Sequence, residues 1–386
     1  MKPFRFLILT KNIDGGTGTF AVNLLKIEKL FKKPELETKI VVLEKPKYRY
    51  INKDDKGKFI FLRKAGFYPH KYIVFSKIPT HFWQELIWVK KLIKNYNPDL
   101  IFGIDVHANL LIQINKFFFF QSTKTLLTTH IDLGKTIAAK SSFLANFLLR
   151  KIIGFLYNRA DALVCVSKSL GQDLSKTFRI KKRVSVVYNG YSNLENRQMV
   201  PKKLSKKTFT IITVARLVEQ KDHQTLIKAF KLVQEKLPNT KLLIASDGPL
   251  KHDLMKLVSR LGLSRKVSFL GWVKNINPYL KKSNIFVLSS KREGFGYVLV
   301  EAMQCGTPVV STDTPYGPSE VLDNGKYGIL VPMGNEEAMK KAILKLLTDK
   351  KTYHQYAKMA SKRSAFFSLD KMLISYMKII DGLLDA

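Results

Sequence analysis

Short apolar runs alternate along the chain with stretches in which apolar residues recur every three to four positions, the pattern of an α/β protein built on parallel sheets. The opening PFRFLILT (3–10) reads as a strand. Glycines at 15, 16 and 18 separate it from an amphipathic helix. Further strands are expected at 39–43, 59–62, 100–102 and 125–130, with a helix over about 80–95 ahead of Pro98. Two apolar segments stand out: four consecutive phenylalanines at 117–120, and SSFLANFLLRKIIGFLY at 141–157. The second carries Arg150 and Lys151. It is either a helix packed on the sheet of its own domain or a basic amphipathic helix lying in a bilayer surface, and the phenylalanine run leaves the same two readings open. The first domain closes at YNGY, and the polar, basic stretch 192–207 reads as a linker. A second sheet is expected from strands at 209–214, 241–245, 267–273, 284–289 and 309–312. Beyond Pro332 the chain is helical and ends on an amphipathic segment. The expected partition is therefore 1–191, linker 192–207, 208–365 and a terminal segment 366–386.

The chemistry concentrates in EGFGYVLVEAMQCGTPVVST, residues 293–312. Gly294 and Gly296 permit a tight loop, 297–305 has helical character, and Gly306 with Pro308 stops it before a β-branched strand. Glu293 lies just ahead of the helix and Glu301 about one turn in, so both can face a ligand held at the helix N-terminus. Unpaired N–H groups and the dipole favour phosphate there. Carboxylates repel phosphate, so the two acids are better acceptors for sugar hydroxyls. The alternative is a favourable N-terminal charge at Glu293 and a solvated helix residue at Glu301. Upstream, Arg216 and Lys221 frame the loop after strand 209–214, two cations suited to a diphosphate. His130 falls at a strand end, where open α/β sheets bind ligands; the competing reading is a hydrogen-bonded boundary residue. His107 is a lesser candidate of the same kind.

Composition narrows the class. A chain of 386 residues suits two domains, and 46% hydrophobic with 25% charged residues is globular. Cys165 and Cys305 form no disulfide framework or metal cluster, which suits a reducing compartment. The N-terminal apolar run is too short for a signal peptide, and no stretch is apolar enough to span a bilayer, so a cytoplasmic location is expected. The net charge of +36 points to an anionic membrane surface, to compositional bias, or to nucleic acid. The lysines are spread and no recognition module appears, which speaks against nucleic acid.

The acid pair and its context, EGFG followed by EAMQCGTPVVST, resemble the signature of the retaining, nucleotide-sugar-dependent glycosyltransferases of family 4. The resemblance runs over nearly the whole chain and is strongest over 214–332. It implies the GT-B fold: two Rossmann-like doubly wound parallel-sheet domains facing a cleft, with a final helix crossing back through 366–370. It implies that Glu293 and His130 contact the donor sugar at the catalytic centre and that Glu301 holds the ribose. Arg216, Lys221, Gly15, Gly16, Phe295 and Gly296 would surround the donor diphosphate, and Trp272 and Val273 would lie near the nucleobase. Ala215 departs from the pattern where glycine is common. No metal or cofactor is implied beyond the donor, a UDP-sugar, with a GDP-sugar left open. TDTPYGPSEVL, 312–322, is similar to bacterial enzymes that extend capsule, O-antigen or undecaprenyl-diphosphate-linked glycans, which implies a glycan or lipid-linked glycan acceptor and a peripheral place on the inner membrane face. Three rivals remain: a catalytically idle GT-B subunit that binds a partner, another GT-B reaction such as an epimerase or phosphorylase, and a basic nucleic-acid-binding protein.

Overall fold

The computed structural model describes residues 3–13, 15–29, 36–44, 57–62, 80–120, 122–139, 141–192 and 208–385. The expected linker, from 193 on, lies outside them. The chain divides into two units, Met1–Gly190 with Leu369–Ala386, and Tyr191–Ser368.

The first unit holds a seven-stranded sheet of β1 (Phe4–Thr10), β2 (Leu36–Val42), β3 (Phe59–Phe61), β4 (Leu100–Gly103), β5 (Lys124–Thr129), β6 (Ala162–Cys165) and β7 (Val184–Val186). Its order is β3-β2-β1-β4-β5-β6-β7, and every pairing is parallel. The continuous apolar run Phe6–Leu9 is buried, as a strand covered on both faces requires. Its helices are α1 (Gly16–Leu24), α2 (Thr80–Tyr96), α3 (Val106–Phe118), α4 (Leu133–Ala138), α5 (Phe143–Asn158) and α6 (Lys168–Phe178). The phenylalanine run is not one element: Phe117 and Phe118 end α3, and Phe119 is its C-cap.

The second unit holds β8 (Phe209–Val214), β9 (Thr240–Ala245), β10 (Val267–Gly271), β11 (Ile285–Leu288), β12 (Val309–Thr312) and β13 (Ile329–Val331), all parallel, in the order β10-β9-β8-β11-β12-β13. Its helices are α7 (His223–Lys236), α8 (Lys251–Arg260), α9 (Asn277–Lys282), α10 (Tyr297–Gln304), α11 (Pro318–Val321), α12 (Glu336–Thr348) and α13 (Lys350–Ser364). One strand is shorter than expected. β10 stops at Gly271, whose φ is 67° and whose carbonyl accepts from the Ser246 N–H at 2.7 Å, so Trp272 and Val273 leave the sheet.

The last helix, α14 (Leu369–Leu384), returns to the first unit. Leu369, Met372, Leu373, Tyr376 and Ile380 join its core. The Tyr376 ring lies 5.7 Å from Phe20 and 5.4 Å from Phe102.

Candidate functional site

In the second sheet the strand order reverses between β8 and β11, and ligands of open α/β sheets bind outside the carboxyl ends at such a point. The loop leaving β8 carries Arg216 and Lys221; the loop leaving β11 carries Glu293. Lys221 Nζ meets Glu293 Oε1 at 2.5 Å, and the Ser290 hydroxyl donates to the same oxygen at 2.6 Å. Glu293 is buried, at 8% exposure, so a cation and a hydroxyl stabilise its charge away from water.

The backbone fixes that meeting. The Gln220 side chain donates to the Arg292 carbonyl at 2.8 Å, the Lys291 N–H to the Gln220 carbonyl at 2.8 Å, and the Ser289 hydroxyl to the Lys221 carbonyl at 2.9 Å. The β8 loop is also held to the loop after β9, where the Leu217 N–H donates to the Asp247 carbonyl and the Leu250 N–H to the Leu217 carbonyl. His223, its pKa pushed down to about 4 by burial, holds the Arg216 carbonyl at 3.2 Å. The guanidinium of Arg216 is exposed and has no partner among the described residues.

α10 begins on Gly296, with φ 85° and ψ 52°, an N-cap residue that has no side chain to bond the first turn. The positive end of its dipole lies three residues after Glu293, which Lys221 contacts. Phe295 contributes to that turn through its backbone, because its side chain is buried, with its ring 5.4 Å from Phe367. Gly317 closes on the turn from the other side. Its φ is 85°, and a Cβ there would stand 2.6 Å from Phe295 Cα. Sequence reasoning passed over this glycine, although it stands in the 312–322 segment.

Glu301 lies one turn into α10, partly buried, and loss of hydration raises its carboxyl from 4.5 to about 7. No hydrogen bond or ion pair engages that carboxylate among the described residues. Burial and then the Glu301 charge push the Tyr191 phenol up to about 12, and the phenol bonds Asn277 Oδ1 at 3.2 Å. Tyr191, whose ring is 5.9 Å from Tyr297, is a neighbour of Glu301 that the sequence reading did not single out. Trp272 and Val273 follow β10 at its carboxyl end, partly buried.

In the first unit the order reverses between β1 and β4. Gly15 is the N-cap of α1, with φ 76°, and a Cβ on it or on Gly16 would meet nothing within 4 Å. Open space at both fits a close-approach loop. Asp105, from the loop after β4, accepts from the Thr10 hydroxyl at 3.0 Å, the Lys11 N–H at 2.5 Å and the Ala108 N–H at 3.0 Å, and so braces the loop after β1. His130 follows β5. The Thr128 hydroxyl donates to the carbonyls of Gly103 and Ile104, so at 3.1 Å it accepts from His130 Nε2–H, which leaves Nδ1 as an acceptor. Burial lowers this imidazole to about 4, so it is neutral near pH 7. His107 is different: its Nε2 sits 2.6 Å from the buried Glu85 carboxylate, a bond between α3 and α2.

Two family models match, Glycosyltransferase Family 4 over residues 51–192 and Glycosyl transferases group 1 over residues 195–363. An uncharacterised glycosyltransferase of Methanocaldococcus jannaschii is 30% identical over 336 residues, covering 76% of this chain and 82% of the relative. The N-acetylgalactosamine-N,N'-diacetylbacillosaminyl-diphospho-undecaprenol 4-alpha-N-acetylgalactosaminyltransferase of Campylobacter jejuni is 31% identical over 297 residues, 76% of this chain and 79% of that one. Among solved structures, sucrose-phosphate synthase from Thermosynechococcus elongatus aligns with a TM-score of 0.82 at 18% identity, covering 99% of both chains. Anabaena HepE in complex with UDP-glucose aligns at 0.73 and 19% identity, covering 98% of this chain and 99% of that one. Two all-parallel Rossmann-like sheets with these neighbours make the fold GT-B, and the chain belongs to the group 1, family 4 glycosyltransferases.

Proposed function

We propose that the protein moves a hexose-type sugar, with retention of anomeric configuration, from a UDP-sugar to a hydroxyl of a lipid-linked glycan at the inner face of the cell membrane. The observation that carries this reading is the grouping at the second sheet's switch point: the Lys221–Glu293 pair, the exposed Arg216, and the start of α10 on Gly296 with Glu301 one turn in.

Charge development assigns the roles. As the glycosidic bond breaks, negative charge grows on the diphosphate and positive charge on the sugar. Arg216, Lys221 and the α10 N-terminus stabilise the first, and loss of one such preorganised donor costs about 3 to 4 kcal/mol in the barrier. Glu293 takes a sugar hydroxyl, and Glu301 accepts from the ribose, whose hydroxyls favour its ionised form. His130 Nδ1 accepts from another sugar hydroxyl. Gly15 and Gly16 let the backbone approach the diphosphate or the acceptor. Trp272 and Val273 border the base, which is met largely through backbone groups. The leaving phosphate oxygen takes the acceptor proton. These cations and the helix dipole supply the charge stabilisation with no cofactor beyond the donor.

Two relatives support the finer points. The Campylobacter jejuni enzyme is named for a diphospho-undecaprenol acceptor, and Anabaena HepE is a structure with UDP-glucose. The test is a panel of UDP- and GDP-sugars read by thermal shift and slow donor hydrolysis, with Glu301→Ala and Lys221→Ala beside the wild type. A stabilising shift with one donor that both substitutions abolish supports the reading, and the anomeric signal of the product by NMR reports retention. No shift with any donor, from a folded protein, overturns it.

A further inference from the structure

Helix α5 carries large apolar side chains on its outer as well as its inner side, yet the described residues of the first unit cover only the inner one. Leu149, Ile153, Leu156 and Tyr157 are buried, whereas Phe143 is 91% exposed, Leu144 67%, and Phe147, Leu148, Ile152 and Phe155 between 48% and 52%. Exposed positions recur four apart, 143, 147, 151 and 155 beside 144, 148 and 152, so they form one continuous stripe. A surface helix normally turns its polar residues outward, so a helix whose outer side is mostly large apolar side chains has a further apolar surface or lipid to meet.

The stripe continues beyond α5. Phe155 meets Phe117 edge-on at 5.6 Å, and the adjacent Phe118 and Phe119 are 63% and 49% exposed. Lys90 of α2 stands 3.5 Å from the centre of the Phe119 ring, Lys151 4.5 Å from that of Phe147, and Arg159 4.4 Å from that of Phe155. Lys90 and Arg159 therefore border the aromatic surface, and Lys151 stands within the stripe with its ammonium over Phe147. Among α2, α3 and α5 the sole acid is Glu85, which is buried against His107.

We propose that this face docks on an anionic lipid bilayer, with α5 lying in the plane of the interface, its phenylalanines in the acyl boundary and Lys90, Lys151 and Arg159 among the headgroup phosphates. The inference deepens the lipid-linked reading and rests on it for its purpose; its test does not depend on donor chemistry. Charge selects the occupant. A second copy seated on the same face would set these cations against themselves, whereas anionic lipid supplies both hydrocarbon and phosphate.

The experiment is co-sedimentation of the full chain with vesicles of phosphatidylcholine alone and of phosphatidylcholine with phosphatidylglycerol. Strong binding to the anionic vesicles is expected. Phe143→Ser with Phe147→Ser and Leu148→Ser should weaken it by at least about tenfold through lost apolar insertion. Lys90→Glu with Lys151→Glu should weaken it by about fivefold per cation. Phe143, Phe147, Leu148 and Lys151 are exposed and Lys90 half-buried, and circular dichroism with thermal denaturation checks that each variant is folded. A wild type that ignores anionic vesicles overturns the proposal. So does a triple-serine variant that binds as the wild type does, which would mean diffuse adsorption of a +36 chain. A dimer in sedimentation velocity that the serine substitutions dissociate would assign the face to a second copy and overturn it as well. Loss of the donor shift alone, with vesicle binding intact, would remove the transferase reading and leave this one standing.

Discussion

Lys221 serves two demands that a sequence reading treats separately. It neutralises Glu293 in the structure, and the proposed chemistry asks it to face a diphosphate. Lys221→Ala should therefore slow transfer by about a hundredfold or more, and should also destabilise the second unit by about 3 kcal/mol, because a buried carboxylate loses its cation. Adding Glu293→Gln should restore most of the stability and none of the activity. Denaturation midpoints and kcat for the single and double variants check this; a double variant no more stable than Lys221→Ala would show that the pair is not what holds the charge. Glu301 makes a second prediction at this scale. Its folded pKa of about 7 lies above the ordinary 4.5, so the folded state binds more protons across that interval. Stability from this group is present below the ordinary value and falls as pH rises through 7. Glu301→Gln should flatten that part of the stability–pH profile. Donor affinity should move the opposite way, weakening as pH drops below about 7, since a protonated carboxyl loses accepting capacity for the ribose. Titration calorimetry at pH 6 and pH 8 reads it.

At the scale of elements, the turn that starts α10 is shaped as much by its neighbour as by its own glycines. Gly317→Ala places a Cβ against Phe295 backbone at positive φ, with nothing flexible to yield. The expected result is about 1 to 3 kcal/mol of lost stability together with weaker donor binding, read by thermal denaturation and donor titration on the same sample. Wild-type donor affinity in that variant would show that the turn does not depend on this contact. Elements of this unit were legible where the pattern was strong: β8, β11 and β12 are short β-branched runs, and Gly306 with Pro308 marks the end of α10. Other features were not. Trp272 and Val273 read as strand because they are apolar, and only the left-handed backbone of Gly271 ends β10 before them. Helix α3 was not legible although Asp105 caps it, because the four consecutive phenylalanines at its end obscure the helical period. The Lys221–Glu293 contact joins residues 72 positions apart, which no local pattern encodes. The glycine at 317 matters through a contact with another loop, equally invisible in one dimension.

For the whole molecule, the decisive fact is that the first unit is discontinuous. A chain ending at Ser368 lacks Tyr376 and its neighbours on α14, and so uncovers Phe20 and Phe102 at the centre of that unit's core. Limited proteolysis of such a chain should leave one resistant fragment, from the second unit, while the full chain yields both. Equal resistance of both units without α14 would mean that the helix merely rests on a finished core. Order of synthesis follows from the same connection. The second unit, Tyr191–Ser368, is one uninterrupted stretch and can close its core as soon as it leaves the ribosome. The first unit is translated earlier yet keeps its apolar centre open until the second unit and α14 have been made. The half of the enzyme that is born first is the last to become a fold, and that interval is when the nascent chain most needs a chaperone.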